Sequence, residues 1–166
     1  MDRSLFYYIN GLARHNMLLD KIMIGLSKWR IYAFIFLILL SIFKKGRKIQ
    51  VIYALLSLAA ALIISRILKY IINRERPFLT EDVHLLFLKS PSPSFPSDQG
   101  VICGLFAAFV WAVFPKWRWP AAILAFLVSI SRVYVGHHYP SDVTAGWFIG
   151  ILCFMAIYAI KPKEDV

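Results

Sequence analysis

Polar residues in this chain gather at the ends of long apolar runs, and those runs set the architecture. Apolar blocks cover 51–64, 101–114, 121–130 and 144–160. With their polar ends, several reach the roughly 20 residues that a bilayer-spanning helix needs. Two earlier stretches read differently. In 3–15, Leu5, Ile9 and Leu12 share one helical face while Arg3, Asn10 and Arg14 lie elsewhere, and 17–28 repeats the pattern through Leu19, Ile22, Met23 and Leu26. This is the period of an amphipathic helix lying on the bilayer surface. The apolar stretch 31–43 is short for a span, so either Arg30 snorkels or the helix begins earlier.

A basic loop, 44–48, leads to a second span over about 50–72. Residues 73–95 form the longest loop, where Pro77, Pro91 and Pro93 break any helix. Pro96-Ser97-Asp98 reads as the start of a third span. Lys116-Trp117-Arg118-Trp119 reads as an interfacial turn, followed by a fourth span over about 121–135 and a fifth over about 141–160. The expected fold is all-α and membrane-integral: about five transmembrane helices, with amphipathic surface helices at the N-terminal end. It forms one domain, 1–166, made of a surface segment over 1–28 and a bundle over 30–160.

Composition agrees. The chain is 60% hydrophobic with a mean hydropathy of +0.66, against an apolar share of about 45–50% in soluble domains. The residues after Met1 lack a basic region leading into an apolar core, so the first span is expected to serve as the insertion signal. A formal charge of +10 suggests nucleic acid. However, the charges cluster where membrane loops fall and no solvent-exposed run of basic and aromatic residues exists, so topology is the better reading and no nucleic-acid partner is expected. Cys103 and Cys153 sit in apolar runs without metal spacing and read as buried structural thiols.

Three polar clusters lie at span ends: 69–77, 96–99 and 131–142. Counting crossings puts all three on one face of the membrane. The other face receives Lys44, Lys45, Arg47, Lys48, Lys116, Arg118, Lys161 and Lys163, which marks it as cytoplasmic. The clusters are then expected outside, along with the N-terminal segment and its Arg3, Arg14, Lys21 and Lys28.

Each cluster has two readings. Lys69 and Arg76 are seven residues apart, about two turns if the helix persists, and could grip a phosphate or merely anchor a membrane edge. Ser97 at a helix start could bind an anion or act as a plain N-cap. Asp98 is awkward beside an anion and is expected to point away. His138 and Asp142 are spaced i, i+4, so a helix starting near His138 would let the carboxylate orient and stabilise an attacking imidazole. Arg132 could reach the same phosphate. His137 could equally be the partner, but its fourth neighbour is Ser141, a weaker support. Gly100/Gly104 and Gly146/Gly150 are GxxxG pairs that would bring the third and fifth spans together.

Together the clusters resemble the type 2 phosphatidic acid phosphatase superfamily, whose signature is KxxxxxxRP, PSGH and SRxxxxxHxxxD. Lys69, Arg76 and Pro77 match the first element, Pro96 and Ser97 half of the second, and Ser131, Arg132, His138 and Asp142 the third. The flanking FPSD and SRVYVGHHYPSDV are most similar to the bacitracin-resistance branch, the undecaprenyl pyrophosphate phosphatases. The resemblance implies a metal-independent enzyme without cofactors. His138 would be the nucleophile that forms a phosphohistidine, Asp142 its orienting residue, and Lys69, Arg76, Ser97 and Arg132 the phosphate ligands. Its partners would be the bilayer and a phosphorylated lipid, and its place the bacterial plasma membrane, with the site facing the periplasm or exterior. The superfamily also holds vanadium haloperoxidases, which are soluble, unlike this chain.

Gln99 departs from the signature, which has a histidine there as the general acid. An amide donates a hydrogen bond but delivers no proton, and losing a general acid costs about 10²–10⁴-fold. A monoester expels an alkoxide, whose acid has a pKa near water's, about 16. A pyrophosphate expels a phosphate group with a pKa of about 6 and needs far less help. Gln99 is therefore tolerable for a lipid pyrophosphate, which the resemblance implies is undecaprenyl pyrophosphate, and severe for a phosphatidate; its origin is either a natural specialisation or an introduced change. Lipid A 1-phosphatase, phosphatidylglycerophosphate phosphatase and a non-catalytic phosphate-lipid binder are the alternatives. Headgroup choice would lie in the loop 78–95, where Glu81, Asp82 and His84 read more readily as solvated residues.

Overall fold

A computed structural model describes residues 1–28 and 48–160. The expected short span at 31–43, most of the basic loop, Lys161 and Lys163 lie outside the described residues. The elements are α1 (Asp2–Asn10), α2 (residues 17–28), α3 (Lys48–Ile72), α4 (Pro77–Thr80), α5 (Asp98–Val113), a 3₁₀ turn (Pro115–Trp117), α6 (Arg118–Tyr134) and α7 (Pro140–Ala159). Among the described residues there is no strand.

Of the expected spans, α3 and α7 are long and apolar enough to cross a bilayer. At 1.5 Å per residue they measure about 37 and about 30 Å. With 16 and 17 residues, α5 and α6 are shorter, at about 24 and about 26 Å. The outward faces of α3, α6 and α7 remain apolar: Ile52, Leu56, Ile63, Phe126, Phe148, Leu152 and Met155 are all exposed, as lipid-facing residues should be.

The main core packs Ala54 of α3, Leu105 and Phe109 of α5, Ala125 of α6 and Phe154 of α7. Helices α5 and α7 touch backbone to backbone. A Cβ on Gly104 would lie 2.3 Å from the Trp147 carbonyl oxygen, and one on Gly150 would lie 2.1 Å from that of Val101. Both GxxxG pairs thus sit in a single seam, which ties the start of α5 to the start of α7: Ser97 N–H donates to the Asp142 carbonyl at 2.9 Å.

The N-terminal segment differs from its expectation. Helix α1 stops at Asn10, followed by a turn in which Arg14 has φ +69°. Its inward face is Phe6 and Asn10, with Ala13 just beyond, all buried, while Leu5 and Leu12 are exposed. Asn10 explains this: its amide donates to the carbonyls of Tyr134 (2.8 Å) and His84 (3.1 Å) and its oxygen accepts the His84 N–H (2.8 Å). A polar residue that satisfies three backbone groups outranks the apolar stripe, so α1 docks on the protein instead of resting on lipid alone.

Candidate active site

The C-terminal ends of α3 and α6 and the N-terminal ends of α5 and α7 meet at one end of the bundle, where the three polar clusters converge. Lys48, Lys116 and Arg118 fall at the opposite helix ends. Helix α3 does not persist from Lys69 to Arg76. It ends at Ile72, and Asn73 turns left-handed at φ +41°, a conformation that asparagine tolerates well. Arg76 therefore reaches the site from a turn, and Pro77 opens α4 behind it.

His138 is buried between two partners that fix its tautomer. Nδ1 lies 3.0 Å from the Ser94 carbonyl, which only accepts, and Nε2 lies 3.0 Å from Arg76 Nη1, which only donates. The proton must sit on Nδ1, which leaves the lone pair on Nε2. Burial, then the charges of Arg132 and Arg76, hold the imidazole well below its ordinary pKa, so it stays neutral.

Asp142 does not form the helical i, i+4 bond that the sequence suggests. Helix α7 begins at Pro140, leaving His138 outside it, and the carboxylate oxygen lies 3.7 Å from Nδ1. Its Oδ2 instead accepts the Tyr139 N–H at 2.8 Å and the Ser94 hydroxyl, and its Oδ1 accepts Arg74 Nη1 at 2.8 Å. The fully buried carboxylate thus stands beside the imidazole without a hydrogen bond to it, while the Ser94 carbonyl is the partner of Nδ1.

Arg76, also buried, further donates to the Ser92 carbonyl (2.8 Å), the Ser92 hydroxyl (3.0 Å) and the His137 carbonyl (3.0 Å). Arg132 donates from Nη1 to Ser27 Oγ and from Nη2 to His137 Nδ1 at 2.9 Å. His137 Nε2 faces the Phe87 carbonyl at 2.9 Å. His137 thus has both nitrogens hydrogen-bonded, as His138 does, and holds Arg132 and the loop at Phe87. Ser97 caps α5, its hydroxyl accepting the Gly100 N–H at 3.3 Å.

Asp98 is half exposed, as expected of a side chain turned toward solvent, yet it is paired. It takes Lys69 Nζ on one oxygen and the Ser65 hydroxyl, at 2.6 Å, on the other. Gln99 is buried with neither amide atom hydrogen-bonded. An orphaned buried amide at a helix start is costly without a ligand to satisfy it. Glu81 is no solvated loop residue: Tyr7 (2.7 Å), Tyr139 (3.1 Å) and Arg3 (2.9 Å) converge on it. Ser94, Arg74 and Ser27 were invisible to spacing, because none stands in a recognisable pattern. Among the described residues no group of His, Cys, Asp or Glu is arranged to hold a metal ion.

Residues 50–165 match the model of the PAP2 superfamily. The undecaprenyl-diphosphatase BcrC of Bacillus subtilis is 35% identical over 100% of this chain and 89% of its own length. An undecaprenyl-diphosphatase of Sulfolobus acidocaldarius is 40% identical over 80% of this chain and 66% of its own length. The crystal structure of Aquifex aeolicus LpxE superposes with a TM-score of 0.83 at 31% identity, covering 95% of this chain and 94% of that one. A polar cluster at the ends of apolar helices, a family model spanning most of the chain and relatives matched along its length agree: this chain belongs to the PAP2 superfamily and is a membrane lipid phosphatase.

Proposed function

We propose that this protein removes the terminal phosphate of undecaprenyl pyrophosphate by way of a phosphohistidine on His138. The lone pair on Nε2 attacks the terminal phosphorus, and the bond to the bridging oxygen breaks with its electrons staying on the leaving lipid monophosphate. The imidazole becomes cationic, and the Asp142 carboxylate, 3.7 Å from Nδ1, stabilises that charge. Water then attacks phosphorus, neutral imidazole leaves, and inorganic phosphate and a proton are released. Arg76 Nη1 now occupies the approach to Nε2. On binding it passes its N–H to a phosphoryl oxygen, with Arg132, Lys69 and the start of α5 at Ser97 completing the anion site.

The tautomer of His138 is the observation that carries this reading. Gln99 supports the pyrophosphate: its unpartnered amide offers a hydrogen bond to a leaving phosphate that needs no proton. An apolar cavity of about 470 Å³ between α1, α6 and α7, lined by Leu5, Val143, Trp147 and Phe148, adjoins the turn bearing Asp142 and offers the isoprenoid chain a place. The whole chain, 1–166, acts as one domain. The site faces the exterior of a bacterial plasma membrane, since Lys48, Lys116 and Arg118 mark the other end as cytoplasmic.

Phosphate release from detergent-solubilised polyprenyl pyrophosphate, lipid A, phosphatidylglycerophosphate and phosphatidate tests the reading. Polyprenyl pyrophosphate should be turned over fastest, and His138→Ala should abolish release. Preference for a monoester, or release that survives His138→Ala, rejects it.

A further inference from the structure

The family model begins at residue 50, yet the first 28 residues reach the reactive cluster directly. Asp2 Oδ2 accepts Arg74 Nη2 at 2.7 Å and the Ser141 hydroxyl at 2.5 Å, and Oδ1 accepts the Ser141 N–H at 3.0 Å. The other arm of that guanidinium, Nη1, donates to Asp142 Oδ1 at 2.8 Å and to Ser141 Oγ at 2.7 Å. Its Cζ lies over the Tyr139 ring, 4.0 Å from the centroid. Farther along, Ser27 accepts from Arg132, and Asn10 holds the backbone at Tyr134 and His84.

Arg74 is thus a planar fork with a carboxylate on each arm. Such a fork is held in one orientation only if both ends are fixed. Asp142 has no hydrogen bond to His138, so its help depends on where its charge stands. Of the three groups that donate to its carboxylate, the Tyr139 backbone N–H and the Ser94 hydroxyl are neutral and the Arg74 guanidinium is charged.

We propose that Asp2 and Arg74 are positioning residues for phosphoryl transfer: the N-terminal helix, through Asp2, sets the Arg74 fork, and the fork sets the Asp142 charge beside His138. The proposal rests on the assignment of His138 as nucleophile. Neither residue touches substrate. Arg74 stands two places before Arg76 in the sequence but faces Asp142 instead of the phosphate.

The test measures phosphate release from polyprenyl pyrophosphate by the full chain and by Asp2→Ala, Asp2→Asn and Asp2→Glu, with thermal unfolding followed in parallel. Misplacement by about 1 Å costs on the order of 10²-fold. Asp2→Ala and Asp2→Asn should accordingly lower kcat about 10- to 100-fold with KM nearly unchanged, and Asp2→Glu should recover part of the loss. Should Asp2→Ala fail to fold, the isosteric Asp2→Asn reads the same split.

Orthovanadate and sulfate binding supply a readout free of turnover. Orthovanadate takes a fifth ligand from a well-placed nucleophilic nitrogen, whereas sulfate needs only the cations. Orthovanadate should weaken in step with kcat while sulfate holds. An unchanged kcat with unchanged orthovanadate affinity, or a parallel loss of both anions, overturns the proposal. If the unaltered chain releases no phosphate but shows the orthovanadate pattern, the pyrophosphatase reading fails and the positioning role stands.

Discussion

Arg132 and His137 are joined by a 2.9 Å bond in which the guanidinium donates to Nδ1, while Nε2 of the same ring meets the Phe87 carbonyl. Both contacts need the neutral ring. Burial, followed by the charge of Arg132, drives its pKa down to about 3. The unfolded chain carries this histidine near its ordinary value of about 6.5. Between those two values the unfolded state binds more protons, so stability is complete above about pH 6.5 and falls as the pH drops toward 3. His137→Gln keeps an acceptor for Arg132 and a donor for Phe87 without a titrating group. Its unfolding midpoint should decline less steeply than the parent's between pH 6.5 and 4, with His138 supplying the remaining slope. Matching slopes would show that His137 does not titrate in this way.

The seam between α5 and α7 sets how close Ser97 comes to Asp142. At Gly104 an added Cβ would meet the Trp147 carbonyl at 2.3 Å and its Cα at 2.7 Å, both backbone atoms that cannot swing aside. Gly104→Ala should therefore force the helices apart, destabilising by about 1–3 kcal/mol or more, and should lower phosphate release as the site opens. Gly25→Ala meets nothing within 4 Å and serves as the control. Equal thermal midpoints for the two variants would mean that the seam tolerates a methyl group.

The helices from residue 48 onward were legible because apolar runs and proline stops decide helix ends locally. The readings of 50–72 and 141–160 fall within two residues of α3 and α7. The motif residues were legible as a set because they stand at those ends. Their pairings were not. Nothing in the order of residues shows that Ser94, on the far side of α5 and α6 in the sequence, presents its carbonyl to His138, or that Asp98 turns to Lys69. Helix α1 misled for a related reason: its apolar stripe is real, but an asparagine that completes backbone hydrogen bonds on α6 and the loop at His84 turned the neighbouring face inward, with Ile9 at its edge.

Asp98 sits where the superfamily signature has glycine, and its carboxylate occupies Lys69. Any phosphate that recruits this lysine must compete with a resident counter-ion. Asp98→Asn removes the charge while keeping the side chain's shape. Inorganic phosphate should then inhibit the variant several-fold more tightly than the parent, and product release should slow. An inhibition constant that is unchanged or weaker would mean that Lys69 serves only as an anchor for the end of α3.

If the Gln99 amide faces the leaving group, as proposed, it should separate substrates by the acidity of what leaves. Its amide atoms are buried and unpartnered, so a histidine of similar reach fits the same place without displacing an existing bond. For phosphatidate, whose leaving group is an alkoxide, Gln99→His restores a general acid and should raise kcat/KM by about 10²–10⁴-fold. For polyprenyl pyrophosphate the leaving phosphate has a pKa of about 6, so the proton adds little and the gain should stay below about tenfold. The ratio of the two gains is the measurement. Absolute rates also respond to folding and detergent, but those effects are common to both substrates and cancel in it. Equal gains on the two lipids would mean that residue 99 acts on binding or packing and not on the departing oxygen.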